Sequence, residues 1–350
     1  MHKFILALLS TIFIAASCNL ADPFSITTGS RGVFKSEDGG ESFRASNALE
    51  KKGNINNVSV NSLTFDPKNP EVIYLGSASG IYKTENGGQN WRYLLSGMSV
   101  ADIAVELSKP TTVYAAGLSG NNGKIIKSVD GGVNWTDSYT EPSKAVSVTS
   151  LAVSNSVVIG GLASGEIIRS FDSGNTWQAS RDFQNRIIKI KFNNLNTVYA
   201  LARTSGFYKS TDSGNSWTLI SSSLTTDNIS TGQGSLPHVS LFHDFALDLR
   251  QTGVIYLAGE EGLFRTVNDG AAWNMLTLPV RDQALKVSAV AVNPGNSNNI
   301  FVSIGSTIFK SLNGAITWET NELRTEQAIR VVTIDPKERN IVYLGLGDKK

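Results

Sequence analysis

Apolar residues along this chain fall in short runs separated by Gly, Pro, Asn and Asp. Runs of four to six residues with such breakers read as short antiparallel strands, not helices. The first complete group shows the order. Residues 61–65 are strand a, closed by Asp66-Pro67; 72–76 are strand b; 81–84 are strand c; strand d starts at Trp91. Runs equivalent to strand a return at 103–106, 151–154, 190–193, 245–248, 290–293 and 332–335. Seven such groups are expected, and no long amphipathic helix stands out.

The ends of the chain fit together. The C-terminal part supplies a strand a and a strand b (340–345) and stops, while the N-terminal part opens on Gly32-Val33-Phe34-Lys35, a strand c with no strand a before it. The expected fold is all-β, a single seven-bladed β-propeller with four antiparallel strands per blade. Strands from both termini close its last blade. Closure removes the open edges on which sheets aggregate. Residues 25–29 duplicate a strand b, and the sequence leaves open which copy pairs.

A nine-residue box separates strands c and d. It reads KSEDGGESF (35–43), KTENGGQNW (83–91), KSVDGGVNW (127–135), RSFDSGNTW (169–177), KSTDSGNSW (209–217), RTVNDGAAW (265–273) and KSLNGAITW (310–318). All six Trp of the chain lie in boxes, at Trp91, Trp135, Trp177, Trp217, Trp273 and Trp318, with Phe43 in the seventh. The side chain of Asp38, Asn86, Asp130, Asp172, Asp212, Asn268 or Asn313 is expected to accept amides two residues on and hold a turn. Gly tolerates positive φ there, and the aromatic pins the start of strand d. Ala315 replaces the Gly of the last copy, so that turn is expected to be distorted. The Ser/Thr of the box recurs at steps of 48, 44, 42, 40, 56 and 45 residues, a propeller period.

The pattern S-x-D-x-G-x-x-W resembles the Asp-box, or BNR, repeat. That repeat occurs in sialidases, sortilin-type receptors, xyloglucan-cleaving glycosidases and photosystem II assembly factors. The resemblance spans nearly the whole mature chain and implies a β-propeller. It implies no single activity, because families sharing the box differ in chemistry.

Charge narrows the partners. With 31 basic and 30 acidic residues, the chain has no bulk field suited to nucleic acid. The start, MHKFILALLSTIFIAASC, has His2 and Lys3, an apolar core over 4–16 and then small residues, which is signal-like and too short for an ordinary membrane span. The only cysteine, Cys18, follows Ala15-Ala16-Ser17, which resembles a bacterial lipobox. The expected organisation is a signal peptide over 1–17, a lipidated N-terminus and tether over 18–24 and the propeller over 25–350. The expected product is an exported, membrane-anchored monomer.

Candidate chemistry lies opposite the boxes. The two longest connections from box aromatic to the end of strand a, 23 and 31 residues, hold Lys51 and Lys52 and the segment 221–240. The connection 118–124 is also enlarged. Loops on a rigid scaffold commonly carry binding. The long segment leads into SLPHVSLFHDF, with His238, His243 and Asp244. Two His and one acid with no further ligand are too thin for a metal, and neither metal nor cofactor is expected. RDFQNR, RDQALK and RTEQAIR place Arg181, Arg186, Arg281, Lys286, Arg324 and Arg330 at strand starts, an expected basic mouth for anionic groups. The basic residue opening every box is read as structural.

A sialidase-type Arg-Ile-Pro is missing. A xyloglucanase-type reaction needs two facing carboxylates, and aligned strands a offer Asp102 and Asp244 in one column, on the second and fifth blades, with Lys189 in the same column on the fourth. Length, a single propeller and a lipobox-like start instead resemble the photosystem assembly factors. The expected function is non-catalytic binding of a protein, or a glycan, as in assembly of a membrane protein complex. The alternative is a glycoside hydrolase of xyloglucanase rather than sialidase type.

Overall fold

The computed structural model describes residues 30–194, 196–225, 241–280 and 286–348. They form seven four-stranded sheets arranged as blades. In the order a to d, blade 1 is Val60–Phe65, Ile73–Ser77, Gly80–Thr84 and Arg92–Ser96. Blade 2 is Ser99–Val105, Val113–Ser119, Asn122–Ser128 and Thr136–Lys144; blade 3 is Val148–Ser154, Val157–Leu162, Glu166–Ser170 and Gln178–Asp182. Blade 4 is Ile187–Phe192, Val198–Ala202, Gly206–Ser210 and Thr218–Leu219; blade 5 is Phe242–Leu247, Ile255–Gly259, Gly262–Thr266 and Asn274–Leu276. Blade 6 is Ala289–Asn293, Asn296–Ile304, Thr307–Ser311 and Glu319–Glu322. Blade 7 takes Ala328–Ile334 and Val342–Gly347 from one end of the chain and Gly32–Ser36 and Arg44–Ala45 from the other.

The ring closes as the two half-blades required. Val33 pairs with Gly345 and Phe34 with Leu344, antiparallel. The pairing strand b is therefore the C-terminal copy; residues 25–29, with Cys18 and the leader, lie outside the described residues. Strands b are apolar on both faces because each blade is covered by two neighbours. Ile73–Ser77, Val198–Ala202, Ile255–Gly259 and Val342–Gly347 are buried throughout. The core is accordingly divided among the seams: one cluster joins Tyr114 and Ile125 of blade 2 to Leu151 and Ile168 of blade 3. Another joins Val33 and Tyr343 of blade 7 to Leu63 and Leu75 of blade 1.

The box turn works differently from the sequence expectation in one respect. The Ser128 hydroxyl, not Asp130, serves the near amides: it accepts the Asp130 amide at 3.3 Å and the Gly132 amide at 2.8 Å. Asp130 accepts amides three and four residues on, from Val133 at 3.1 Å and Asn134 at 2.9 Å, and also the Ser128 hydroxyl at 2.7 Å. Two successive residues take positive φ, Gly131 at 73° and Gly132 at 92°. Ala315 sits at the second of these positions with φ 72°. The expected distortion is not there: the Ala315 amide still reaches Ser311 Oγ at 2.9 Å, and Thr317 reaches Asn313 at 2.9 Å. The turn keeps its bonds and Ala315 carries the strain.

Strands a and c run toward the box face, so the starts of strands a and the b–c turns share the opposite face. The enlarged b–c connection of blade 2 is not an open loop. It is absorbed by lengthened strands that pair to Ser119 and Asn122. Residues 46–59 pack between blades 7 and 1 rather than standing off the surface. Ile55 is buried, Asn47 accepts the Val33 amide at 2.7 Å, and the Trp91 indole donates to Ser46 O at 2.7 Å.

Candidate functional site

One position recurs near the start of each strand a: Ser62, Asp102, Ser150, Lys189, Asp244, Ala289 and Val331. In six blades the pairing register shifts immediately before this residue, as between Val100 and Asp102 or between Phe242 and Asp244. Such a bulge re-aims the side chain that follows it. At Asp102, Ser150, Lys189 and Asp244 the side chain is aimed along the ring at the next blade.

The bonds made from this column are seam bonds. Asp102 Oδ2 accepts the Ser150 hydroxyl at 2.8 Å and the Leu151 amide at 2.9 Å, both on blade 3, while Oδ1 accepts its own Ile103 amide at 2.9 Å. Ser150 Oγ accepts the Ile190 amide of blade 4 at 3.0 Å. Asp244 Oδ2 accepts the Val290 amide of blade 6 at 3.0 Å, and Oδ1 accepts the Phe245 amide at 2.9 Å and pairs with Lys189 Nζ of blade 4. The seam between blades 1 and 2 is tied otherwise, by the Thr64 hydroxyl to Ile103 O at 2.8 Å and Asn61 to Val100 O at 2.8 Å.

Asp102 and Asp244 thus share a level, as aligned, on blades three steps apart around the ring. Burial pushes the Asp102 carboxyl above the usual carboxylate range, outweighing its hydrogen bonds and Lys189. Sequence reading missed Lys191, two residues beyond Lys189 on the same face of strand a. Lys191 is exposed, and it feels the charges of Lys189, of Asp244 on blade 5 and of Asp102 on blade 2. A blade 4 side chain within reach of both blades 2 and 5 projects toward the axis. The Lys189 ammonium first, and loss of hydration second, hold the Lys191 amine down at about 7. The signal was available: the positions equivalent to Lys191 are Thr64, Ala104, Ala152, Ala246, Ala291 and Thr333, so one long base interrupts a level of small side chains.

The expected basic mouth is brought together in part. Arg181 and Arg186 are exposed between blades 3 and 4, beside Arg203, whose amide donates to Arg186 O at 2.9 Å. Burial and Arg203 lower the Arg186 guanidinium from its ordinary value. Arg330 is half-buried and donates to Ser59 at 3.2 Å; Arg324 is exposed nearby. Arg31, which sequence reading passed over, pairs with Asp348. Lys286 pairs with Glu260 at 3.2 Å, and His243 Nε2 lies 3.9 Å from the same carboxylate. Lys51 and Lys52 stand apart on the turn after Leu49, whose neighbour Glu50 donates its amide to Trp91 O at 3.0 Å. Arg281 and His238 lie outside the described residues. Among the described residues no group of three His, Cys, Asp or Glu could hold a metal ion.

The bases opening the boxes are struts between or within blades. Lys127 donates to Ser173 O of the next box at 2.7 Å, Arg169 to Asn215 at 2.7 Å, and Lys209 pairs with Asp269. Each of Lys35, Lys83 and Lys127 also lies over a tyrosine of strand b. Those tyrosines, Tyr343, Tyr74 and Tyr114, donate to Gly87 O, Gly131 O and Ser173 O of the following blade. The recurring Val/Ile-Tyr pair of strand b was the sequence signal for this lock.

No protein-family model matches the chain, and no curated protein matches it. Solved structures do share its fold. The glycoside hydrolase family 74 xyloglucanase from Xanthomonas campestris superposes with a TM-score of 0.64 at 16% identity, covering 82% of this chain and 51% of that one. The chain thus spans about half the length of that enzyme. YCF48 from Cyanidioschyzon merolae gives 0.61 at 15% identity, covering 82% of this chain and 95% of that one. YCF48 bound to a D1 peptide gives 0.63 at 16% identity, covering 86% and 94%. At these identities the likeness is one of fold: a propeller like those of xyloglucanases and of YCF48.

Proposed function

We propose that this chain is an exported, lipid-anchored propeller that binds a protein partner, or a glycan, on the face opposite the boxes, without a reaction of its own. The observation that carries this reading is the state of the two candidate carboxylates. Asp102 and Asp244 each accept three donors from the ring itself. Groups committed to holding blades together are poorly placed to exchange protons with a substrate. The binding surface is the arginine cluster at the blade 3–4 junction, with Arg324 and Arg330 across the ring. A carboxylate-bearing protein, such as a membrane complex during assembly, fits that charge. YCF48, of the same fold and length, is known bound to a peptide.

The second reading is a glycoside hydrolase of the xyloglucanase type. It is favoured by the raised Asp102 carboxyl, a property of a general acid. Partner capture by crosslinking and hydrolysis of a xyloglucan panel, measured on the same variants, separate the two. Arg181→Glu with Arg186→Glu should weaken capture in a salt-dependent manner, while Asp102→Asn with Asp244→Asn leaves capture near wild type. Hydrolysis by the wild type that disappears in either Asp variant would replace the first reading by the second. The anchor is tested apart from both: Cys18→Ser should leave the protein unprocessed or free of membranes.

A further inference from the structure

Six of the seven bases that open the boxes have an acceptor. Lys35 pairs with Glu37 at 2.8 Å and Lys83 with Glu85 at 2.7 Å, each at the third position of its own box. Lys127 reaches Ser173 O at 2.7 Å. Lys209 pairs with Asp269 at the fifth position of the next box, while Arg169 reaches Asn215 and Lys310 pairs with Glu41 at the seventh. Arg265 is denied each of these side chains. Its own third position is Val267, and the fifth and seventh positions of the blade 6 box are Gly314 and Ile316. Among the described residues its guanidinium forms no ion pair, lies 5.6 Å over the Tyr256 ring and keeps Nε buried without a hydrogen-bond partner. Asp248, on the nearby a–b turn of blade 5, accepts the Arg250 and Gln251 amides and the Ser297 hydroxyl at Oδ1. Its buried Oδ2 has no partner among the described residues, Arg265 included.

The turns around Arg265 are apolar at their tips. Leu249, Val267, Leu312 and Ile316 are 64, 56, 52 and 80% exposed. They belong to adjoining turns. The Asp269 amide donates to Gly253 O at 2.9 Å within blade 5, Ser297 crosses to Asp248 at 2.9 Å, and the Gly314 amide donates to Asn298 O at 3.0 Å within blade 6. Single exposed apolar side chains are ordinary. Four on adjoining turns, beside a cation without an acceptor, have the make-up of a contact surface.

We propose that Arg265 and these turns dock a protein segment that carries a carboxylate among apolar residues. With Nε buried, the carboxylate meets the guanidinium end-on, through its Nη edge. A half-buried cation without a partner is unfavourable, and the incoming carboxylate relieves that while the apolar tips shed water against the rest of the segment. Charge selects the occupant. Arg250 and Arg265 are two bases, short of the basic cluster on which binding to anionic lipid draws. The surface lies on the box face, opposite the arginine cluster of blades 3 and 4, and is independent of the partner-binding reading there.

The test is selection of phage-displayed heptapeptides on the full chain, followed by titration of the enriched peptides. These should carry Asp or Glu flanked by Leu, Ile, Val or Phe. Arg265→Gln should weaken them by about tenfold or more, the loss expected of a charge-assisted hydrogen bond. Replacing the peptide's acid by its amide should weaken binding to the wild type equally and have no further effect on Arg265→Gln. Ile316→Ser, at a side chain 80% exposed, should weaken binding without touching the core. Arg181→Glu with Arg186→Glu should leave it unchanged. Enriched peptides without an acid, equal binding by Arg265→Gln, or no enrichment at all overturns the proposal. So does binding to phosphatidylglycerol vesicles, or self-association in sedimentation, that Arg265→Gln abolishes, since a bilayer or a second copy would then be the occupant. Arg265→Gln should also melt no lower than the wild type, because it breaks no bond within the ring. A marked fall would make Arg265 part of the ring's own bracing and overturn the proposal as well.

Discussion

Asp102 Oδ2 accepts the Ser150 hydroxyl at 2.8 Å across the seam between blades 2 and 3, and Ser150 Oγ accepts the Ile190 amide at 3.0 Å across the next. Two side chains thus tie three blades in series. Asp102→Ala would strand the Leu151 and Ile103 amides. An orphaned buried amide costs about 1–3 kcal/mol, so a loss of about 3 kcal/mol is expected in denaturant unfolding. Hydrogen exchange at Leu151 should accelerate with it. Wild-type exchange there would mean that the carboxylate does not hold the seam.

Lys191 should cost the fold stability where it is charged. Its folded pKa lies below that of the unfolded chain, so the charged form is disfavoured in the ring. The penalty is complete below about pH 7 and fades as pH rises toward about 10.4, the ordinary lysine value. Lys191→Met should therefore raise the melting temperature more at pH 6 than at pH 10. An equal gain at both would reflect packing, not charge.

The Asp boxes should make the ring acid-sensitive. Hydrogen bonds from Asn134 and Ser128 hold the Asp130 carboxyl down to about 2. Asp38 lies at about 2 as well, with its bonds from Ser42 and Ser36 outweighing burial. Their contribution is present above about pH 4, where the unfolded groups ionise, and is lost as pH falls toward 2. Asp130→Asn keeps the shape and removes the titration. The stability gap between wild type and this variant should shrink from pH 5 to pH 2, as read by urea unfolding. A constant gap would refute the assignment.

Ala315 should be improvable. Its φ of 72° is a left-handed conformation that costs an L-residue about 1–2 kcal/mol, partly offset by the greater freedom of glycine in the unfolded chain. Ala315→Gly is expected to stabilise the protein by about 1 kcal/mol in thermal or denaturant unfolding. A loss of stability would show that its methyl, packed in the seam between blades 5 and 6, matters more than its backbone.

The box aromatics should not be equal. Trp91 is fully buried and its indole N–H is bonded to Ser46 O, whereas Trp135 is half-buried. Trp91→Ala should cost about 3–5 kcal/mol and loosen residues 46–59. Trp135→Ala should cost clearly less. Equal losses would place the value of the box aromatic in the turn rather than in burial.

What the chain's own pattern determined is the repeat: seven groups of four strands, the box turns between c and d, and closure by half-blades from both ends. These are local or periodic properties. Strand length follows from runs between breakers, turns from Gly and Asp at set offsets, and blade count from a period, so all survive reading one residue after another. The column holding Asp102 and Asp244 was legible for the same reason. What that column does was not. Whether Asp102 looks into the lumen or at Ser150 depends on a bulge and on how far one blade is turned against the next. Only the closed ring sets that turn. The same holds for Lys191, a solvated lysine in any isolated strand. It becomes a weakly basic amine only where the fold holds the Lys189 ammonium beside it and thins the water that would otherwise stabilise its charge, against the opposing pull of Asp244 and Asp102 on neighbouring blades.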